Sequence, residues 1–182
     1  IDAPGIKVLT RAAVQMGEVW VAAPAEQCSA LSQKLTLREL IPVEEEKDFP
    51  VRVRSAWRIG GTPVDCVKVA LEHLMEEKPD VVLSGINNGF NCGQDIAYSG
   101  TLGAAFEAER LGVPTIAFSA AGDKYLEAME PHLLPLLREL TGKRAEPGSV
   151  WNVNFPAVKG TKPLQGILRD RSVCPVSMYQ EQ

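Results

Sequence analysis

At 182 residues, with 45% hydrophobic and 23% charged side chains, the chain has the composition of one ordinary globular domain, which excludes the disordered and collagen-like classes. Nineteen Lys and Arg against 23 Asp and Glu leave a formal net charge of −4. That balance argues against a dedicated nucleic-acid binder, but not against a small anionic ligand, because a helix N-terminus binds phosphate without net positive charge. Cys28, Cys66, Cys92 and Cys174 are scattered, with no Cys-x-x-Cys pair, and no apolar run reaches the roughly 18–20 residues of a membrane span. We therefore expect a soluble, cytoplasmic protein with reduced thiols and no membrane partner. The chain opens at Ile1 without Met. We read 1–182 as a single domain, truncated at its N-terminus and at its C-terminus.

Short apolar runs alternate with helix-period segments, the pattern of βαβ units around a parallel sheet. Pro4 suits a first helical turn, and Ile6, Leu9, Ala13 and Met16 carry the periodicity to Gly17. Val19 to Ala23 reads as a buried strand ended by Pro24, and Ala25 to Ser32 as a polar loop. From Leu35 to Ile59 the alternation Val51-Arg52-Val53-Arg54 and the run Glu44-Glu45-Glu46 predict edge strands around a solvated loop. Thr62-Pro63-Val64-Asp65 opens a helix as a capping box, with Val64, Val67, Leu71 and Leu74 as its stripe and Pro79 as its stop. Val81 to Leu83 is a strand running into Ser84-Gly85-Ile86-Asn87-Asn88-Gly89. After a polar loop, Ser99-Gly100-Thr101 starts a helix through Ala108, closed by Gly112. Val113 to Phe118 is the next strand, and Tyr125 to Leu140 a helix that Pro131 and Pro135 should kink or divide. Val150 to Phe155 is a last strand, and beyond Gly160 the signal fades. The fold class is α/β: a Rossmann-like, doubly wound, mostly parallel sheet with helices on both faces and a small edge-strand excursion.

Small polar residues gather at the carboxyl ends of these strands: Ser29 after the first, then Ser84 and Asn87, Ser119, and Asn154. Ligands of open parallel sheets bind at that edge, although Ser and Asn are also common in loops. The glycine-rich turn from Gly85 to Gly93 is neither a Rossmann fingerprint nor a Walker loop. Ser99-Gly100-Thr101 offers two hydroxyls and unpaired N–H groups at a helix N-terminus, either as a plain cap or as an anion site. Asp95 could accept a hydrogen bond, sit in a metal's outer shell, or be a solvated loop acid. His73 and His132 lie away from the cluster, so a Ser-His-Asp triad and His/Cys zinc ligation are set aside. No His supports Cys28 or Cys92 as a thiolate nucleophile. The remaining hydroxyl and amide oxygens suit a hard cation, which normally also needs a carboxylate.

Several motifs then occur in a recognisable order. They are Ala3-Pro4-Gly5-Ile6, Ala23-Pro24 followed by Ser29, Leu35-Thr36-Leu37, Gly61 to Val67, Ser84 to Gly93, Tyr98 to Thr101, and Asn152-Val153-Asn154-Phe155-Pro156. Together they resemble the survival protein SurE family of metal-dependent nucleoside monophosphate phosphatases, nearly continuously from Ile1 to Ser119 and more thinly afterwards.

The resemblance implies one divalent cation per subunit, Mg²⁺ or Mn²⁺, held by a serine and an asparagine that match Ser29 and Asn87 and by two adjacent aspartates. Those aspartates are expected directly before the residue matching Ile1, and Asp2 is no substitute. Asn91, Ser99, Gly100 and Thr101 match the residues that contact the substrate phosphate. Ala30 departs from the family's usual Gly, and Ala25 from a frequent acid. The implied activity is 5′-nucleotidase, with 3′-nucleotide and polyphosphate hydrolysis as related activities, in a homodimer or tetramer that takes a nucleoside monophosphate rather than a nucleic-acid polymer. The alternative, since no metal-anchoring carboxylate is in the chain, is a non-catalytic nucleotide- or phosphate-binding module. A different Rossmann-like transferase is disfavoured by the missing glycine fingerprint.

Overall fold

The computed structural model describes residues 1–143, 145–157 and 166–168. Pro4 opens α1 (Pro4–Ala13), which buries Gly5, Val8, Leu9 and Ala12. This stripe at i, i+3, i+4 and i+7 is the apolar face of an amphipathic helix. Of the expected residues Leu9 lies in this stripe, while Ile6 and Ala13 are half-buried, the helix stops at Ala13, and Met16 stands 40% exposed beyond it. β1 (Trp20–Pro24) follows. The acidic run supplies β2 (Val43–Glu45), and the chain returns as β3 (Ser55–Ile59). The strand expected from the 51–54 alternation begins only at Ser55, where its register with β1 starts at Trp20, and the Arg54 N–H leads into that pairing through the Val19 carbonyl at 2.8 Å. Glu44 and Glu45 are exposed as expected of a solvated edge, whereas Glu46 accepts from Arg58 at 2.8 Å.

α2 (Pro63–Val69) starts with the capping box read from Thr62 and Asp65 and runs into a π-helical turn at Ala70–Leu74. β4 (Val82–Asn88), a 3₁₀ turn (Gly93–Ala97), α3 (Gly100–Arg110) and β5 (Thr115–Ala120) come next. A second 3₁₀ turn (Asp123–Tyr125), α4 (Leu126–Gly142) and β6 (Trp151–Phe155) complete the described elements. α4 is one continuous helix through Pro131 and Pro135. Its buried face of Leu126, Met129, Leu133, Leu136, Leu137 and Leu140 outweighs the ladder bonds the two prolines remove, at about 1.5–3 kcal/mol per buried side chain.

Parallel pairing dominates, in two three-stranded sheets. β1 runs parallel to β3, with β2 antiparallel on the outer side of β3 as the edge excursion. β5 lies between β4 and β6, parallel to both. α1 and α4 cover one face of the β4–β5–β6 sheet. There Ile116, Phe118 and Ala120 of β5 and Phe155 of β6 meet Val8, Leu9, Leu133 and Leu137. On the opposite face α3 packs Leu102 and Ala105 onto Ala117, and α2 packs on α3. The period-2 alternation therefore turns Ala117 and Ser119 toward α3, away from the main core. No helix among the described residues is long and apolar enough to cross a membrane.

Candidate functional site

Three segments converge on the N-terminus of α3. Ser99 caps the helix, its Oγ accepting from the Leu102 N–H at 3.2 Å. The next helical donor, the Gly103 N–H, goes to the Ser99 carbonyl at 2.9 Å. Among the described residues the Gly100 and Thr101 N–H groups have no intrahelical acceptor, and they stand at the positive end of the helix dipole. From β4, Ser84 donates its hydroxyl to the Thr101 carbonyl at 2.8 Å and fixes this end of the helix to the sheet. The loop carrying Ser29 arrives from the other side: a Cβ on Gly100 would stand 3.6 Å from the Cys28 carbonyl oxygen, and one on Gly103 would collide with the Ser32 carbonyl. Ser32 also donates its Oγ to the Ala97 carbonyl at 2.7 Å and its N–H to the Tyr98 carbonyl at 3.0 Å.

That loop is anchored further along by a buried acid. Asp65, fully buried, accepts from the Thr36 N–H (2.9 Å), the Thr36 hydroxyl (2.7 Å) and the Thr62 N–H (2.8 Å). Burial opposes its charge, but these donated hydrogen bonds outweigh burial and hold the carboxyl below the usual aspartate range. Thr62 in turn donates its hydroxyl to the Lys34 carbonyl at 2.6 Å. The capping box was legible in the sequence; its second task of docking residues 34–36 was not. Ser29 itself is exposed and accepts from Gln27 at 3.3 Å, beside Ala30, whose φ is 54°.

The second part of the site is the turn after β4. The register of β4 against β5 shifts between Ser84 and Asn87. Gly85, at φ 124°, sits where any Cβ would strike the Phe118 carbonyl, so this irregularity needs glycine. Asn87 donates its amide N–H to the Gly89 carbonyl at 2.8 Å, which leaves its Oδ1 as an acceptor. Asn91 is buried: its side chain donates to the buried Ser119 hydroxyl at 2.7 Å, and its backbone N–H to Asn154 Oδ1 at 2.9 Å. Asn152 Nδ2 donates to the Asn91 carbonyl at 2.8 Å. Sequence reasoning placed Ser119 and Asn154 at strand ends but missed this linkage. The signal lay in Trp151-Asn152-Val153-Asn154-Phe155, whose alternation puts both asparagines on the face opposite the apolar core.

The donors present define the available chemistry. Ser29 Oγ and Asn87 Oδ1 are neutral oxygens of the class a hard cation takes. Among the described residues no group of three or more His, Cys, Asp or Glu could hold a metal by itself. Asp2 is occupied by Arg58, through hydrogen bonds of 2.8 and 3.2 Å that hold its carboxyl below the ordinary range, and so does not replace a metal-binding acid. Burial raises the thiols of Cys28 and Cys92 and pushes Cys66 up to about 12, so all three are protonated at neutral pH and none is an activated nucleophile. Cys174 lies outside the described residues. His73 is on the π turn and His132 on α4, neither at the strand ends. Asp95 contributes its backbone carbonyl to the Tyr98 and Ser99 N–H groups (both 3.1 Å), which orients the approach to α3. A cleft of about 310 Å³ runs beside Ser99, between Ser32, Gln94 and Phe106.

The chain is similar to proteins of one family. The family model described as "Survival protein SurE" matches residues 1–176. The 5′-nucleotidase SurE of Gemmatimonas aurantiaca is 45% identical over 174 residues, which cover 92% of this chain and 66% of that protein. The 5′/3′-nucleotidase SurE of Cronobacter sakazakii is 38% identical over 156 residues, covering 86% of this chain and 60% of its own. The crystal structure of the SurE protein from Aquifex aeolicus superposes with a TM-score of 0.75 at 36% identity, over 87% of this chain and 63% of that one. The chain thus spans about two thirds or less of the length of the relatives it matches.

Proposed function

The chain belongs to the survival protein SurE family, and from that membership we propose that its protein is a phosphoric monoester hydrolase of the 5′-nucleotidase type, releasing inorganic phosphate from nucleoside monophosphates. The observation that carries this reading is the α3 N-terminus: a capped helix whose Gly100 and Thr101 N–H groups have no intrahelical acceptor, placed against the Ser29 loop. Here the phosphoryl oxygens meet backbone donors and the positive end of the helix dipole, while the Thr101 hydroxyl supplies one more donor. Asn91 spends one amide hydrogen on Ser119 and keeps the other for the phosphate. These groups bind and orient the monoester and stabilise charge that grows on its oxygens; losing one such donor typically costs about 10²–10³ in rate.

Ser29 and Asn87 are the residues of this chain that would hold one divalent cation, Mg²⁺ or Mn²⁺, with the acid pair that the family resemblance places directly before Ile1. Lewis acidity at a phosphoryl oxygen is what such a cation supplies. We place the protein in the cytoplasm, as a single SurE-like domain assembled in homodimers or tetramers.

The test is phosphate release from a panel of 5′- and 3′-nucleoside monophosphates by the full-length protein with Mg²⁺ or Mn²⁺. Turnover is expected, and Asn87→Ala should reduce the metal-dependent rate at least a hundredfold. Binding of nucleotide without release under all these conditions would establish the phosphate-binding module instead. Unchanged turnover in Asn87→Ala would remove that residue from the cation's shell.

A further inference from the structure

The amides of β6 do more than end a strand. Asn152 and Asn154 sit two residues apart on one face of β6, and β5 pairs with β6 so that Ser119 lies opposite Asn154. On the other face of the same strands Phe118 and Phe155 fill the apolar core. The polar face meets the turn after β4 at a single residue, Asn91, from three directions. Its N–H is held by Asn154, its carbonyl by Asn152, and its side chain by Ser119. Asn154 also donates to Asn152 Oδ1 at 3.0 Å, so the two strand amides orient each other. A loop residue with its backbone donor, backbone acceptor and side chain all engaged has almost no remaining freedom. The adjoining Gly89 N–H is likewise tied to the end of β5, through the Ala120 carbonyl at 2.8 Å.

We propose that Ser119, Asn152 and Asn154 are positioning residues that act on the phosphate through Asn91. They fix which way its remaining amide N–H points and how far the turn carrying Asn87 stands from α3. This rests on the nucleotidase reading for its catalytic consequence, but the clamp itself is a property of the chain. Each of the three residues acts without touching substrate, in the way that outer partners of a binding group set its orientation and are typically worth 10–100-fold in affinity or activity. Ser119 works only through the Asn91 side chain, whereas Asn154 works through the Asn91 backbone. That difference makes the two separable.

The experiment uses the full-length protein in two parts. In steady-state hydrolysis of a nucleoside monophosphate, Ser119→Ala should lower kcat/KM at least tenfold in the parent and less than threefold in the Asn91→Ala background. An equal loss in both backgrounds overturns the proposal. Independently of activity, Asn154→Ala should speed hydrogen exchange at the Asn91 amide at least tenfold, while amides of β5 exchange as in the parent. Unchanged exchange at Asn91 overturns the clamp. A parent protein without phosphatase activity, but with accelerated Asn91 exchange in Asn154→Ala, defeats the nucleotidase reading and with it the catalytic consequence, leaving the clamp. If Ser119→Ala does not fold, Asn152→Ala serves in the exchange measurement: it removes both the bond to the Asn91 carbonyl and the oxygen that orients Asn154, so exchange at the Asn91 amide should rise there too, and unchanged exchange overturns the clamp.

Discussion

At the scale of single residues, the chain carries a strained position beside its candidate metal ligand. Ala30 has φ 54° and Ser32 φ 51°, both in the left-handed region that favours glycine. The SurE resemblance expects Gly at position 30, so the departure seen in the sequence coincides with a backbone conformation that Ala adopts only under strain. The loop is held there from outside: by Ser32 on Ala97 and Tyr98, and by Asp65 on Thr36. Ala30→Gly relieves the clash of the Cβ while adding freedom to the unfolded chain, with relief the larger effect. We expect it to stabilise the protein by about 0.5–1 kcal/mol, read as a higher urea midpoint at unchanged m-value. A lower midpoint would show that Ala30 is not strained.

At the scale of elements, α3 combines a structural cap with a candidate anion site, and the two roles can be pulled apart at Ser99. Ser99→Ala removes the acceptor for the Leu102 N–H and should cost about 1 kcal/mol of stability. Ser99→Asp keeps a capping oxygen and adds a charge that the helix dipole favours, so stability should stay within about 0.5 kcal/mol of the parent. The same charge repels a phosphate, so KM for a nucleoside monophosphate should rise at least tenfold in Ser99→Asp. Denaturant titration and initial rates on both variants decide the matter; a parental KM in Ser99→Asp would move the phosphate away from this helix end. The starts of α2 and α3 were legible because capping is local: Thr62 and Asp65 are three residues apart, as are Ser99 and Leu102. The clamp on Asn91 was not, because its partners lie 28 to 63 residues away in sequence and meet only through sheet register. The same holds for Thr36 on Asp65, 29 residues apart. The face of α1 was legible only in part, at Leu9, for a related reason. Ile6 and Met16 satisfy a helical period as well as Val8 and Ala12 do, and only packing on β4 and α4 selects between the two stripes.

For the molecule as a whole, one buried carboxylate links folding to the site across two segments. Asp65 joins the start of α2 to residues 34–36, and the same segment reaches α3 through Ser32. The surface carboxylates held low by Arg or Lys, such as Asp2, Glu72 and Glu130, are screened by solvent and contribute little. The acid limb of stability therefore rests mainly on Asp65. Its folded pKa is depressed, so the unfolded chain binds its proton first as pH falls. The stabilisation is fully present above the ordinary aspartate value of about 4 and is lost as pH drops through the lower folded value. Denaturant midpoints should consequently change little between about pH 7 and 5 and fall below about pH 4. Asp65→Asn keeps the size of the side chain but replaces one acceptor oxygen by a donor facing the Thr36 and Thr62 donors, and should cost about 2 kcal/mol at neutral pH. It should also flatten the midpoint-against-pH curve below about pH 4, because the group that titrates there is gone. A curve as steep as the parent's in Asp65→Asn would assign the acid limb to other carboxylates and uncouple it from the loop that carries Ser29.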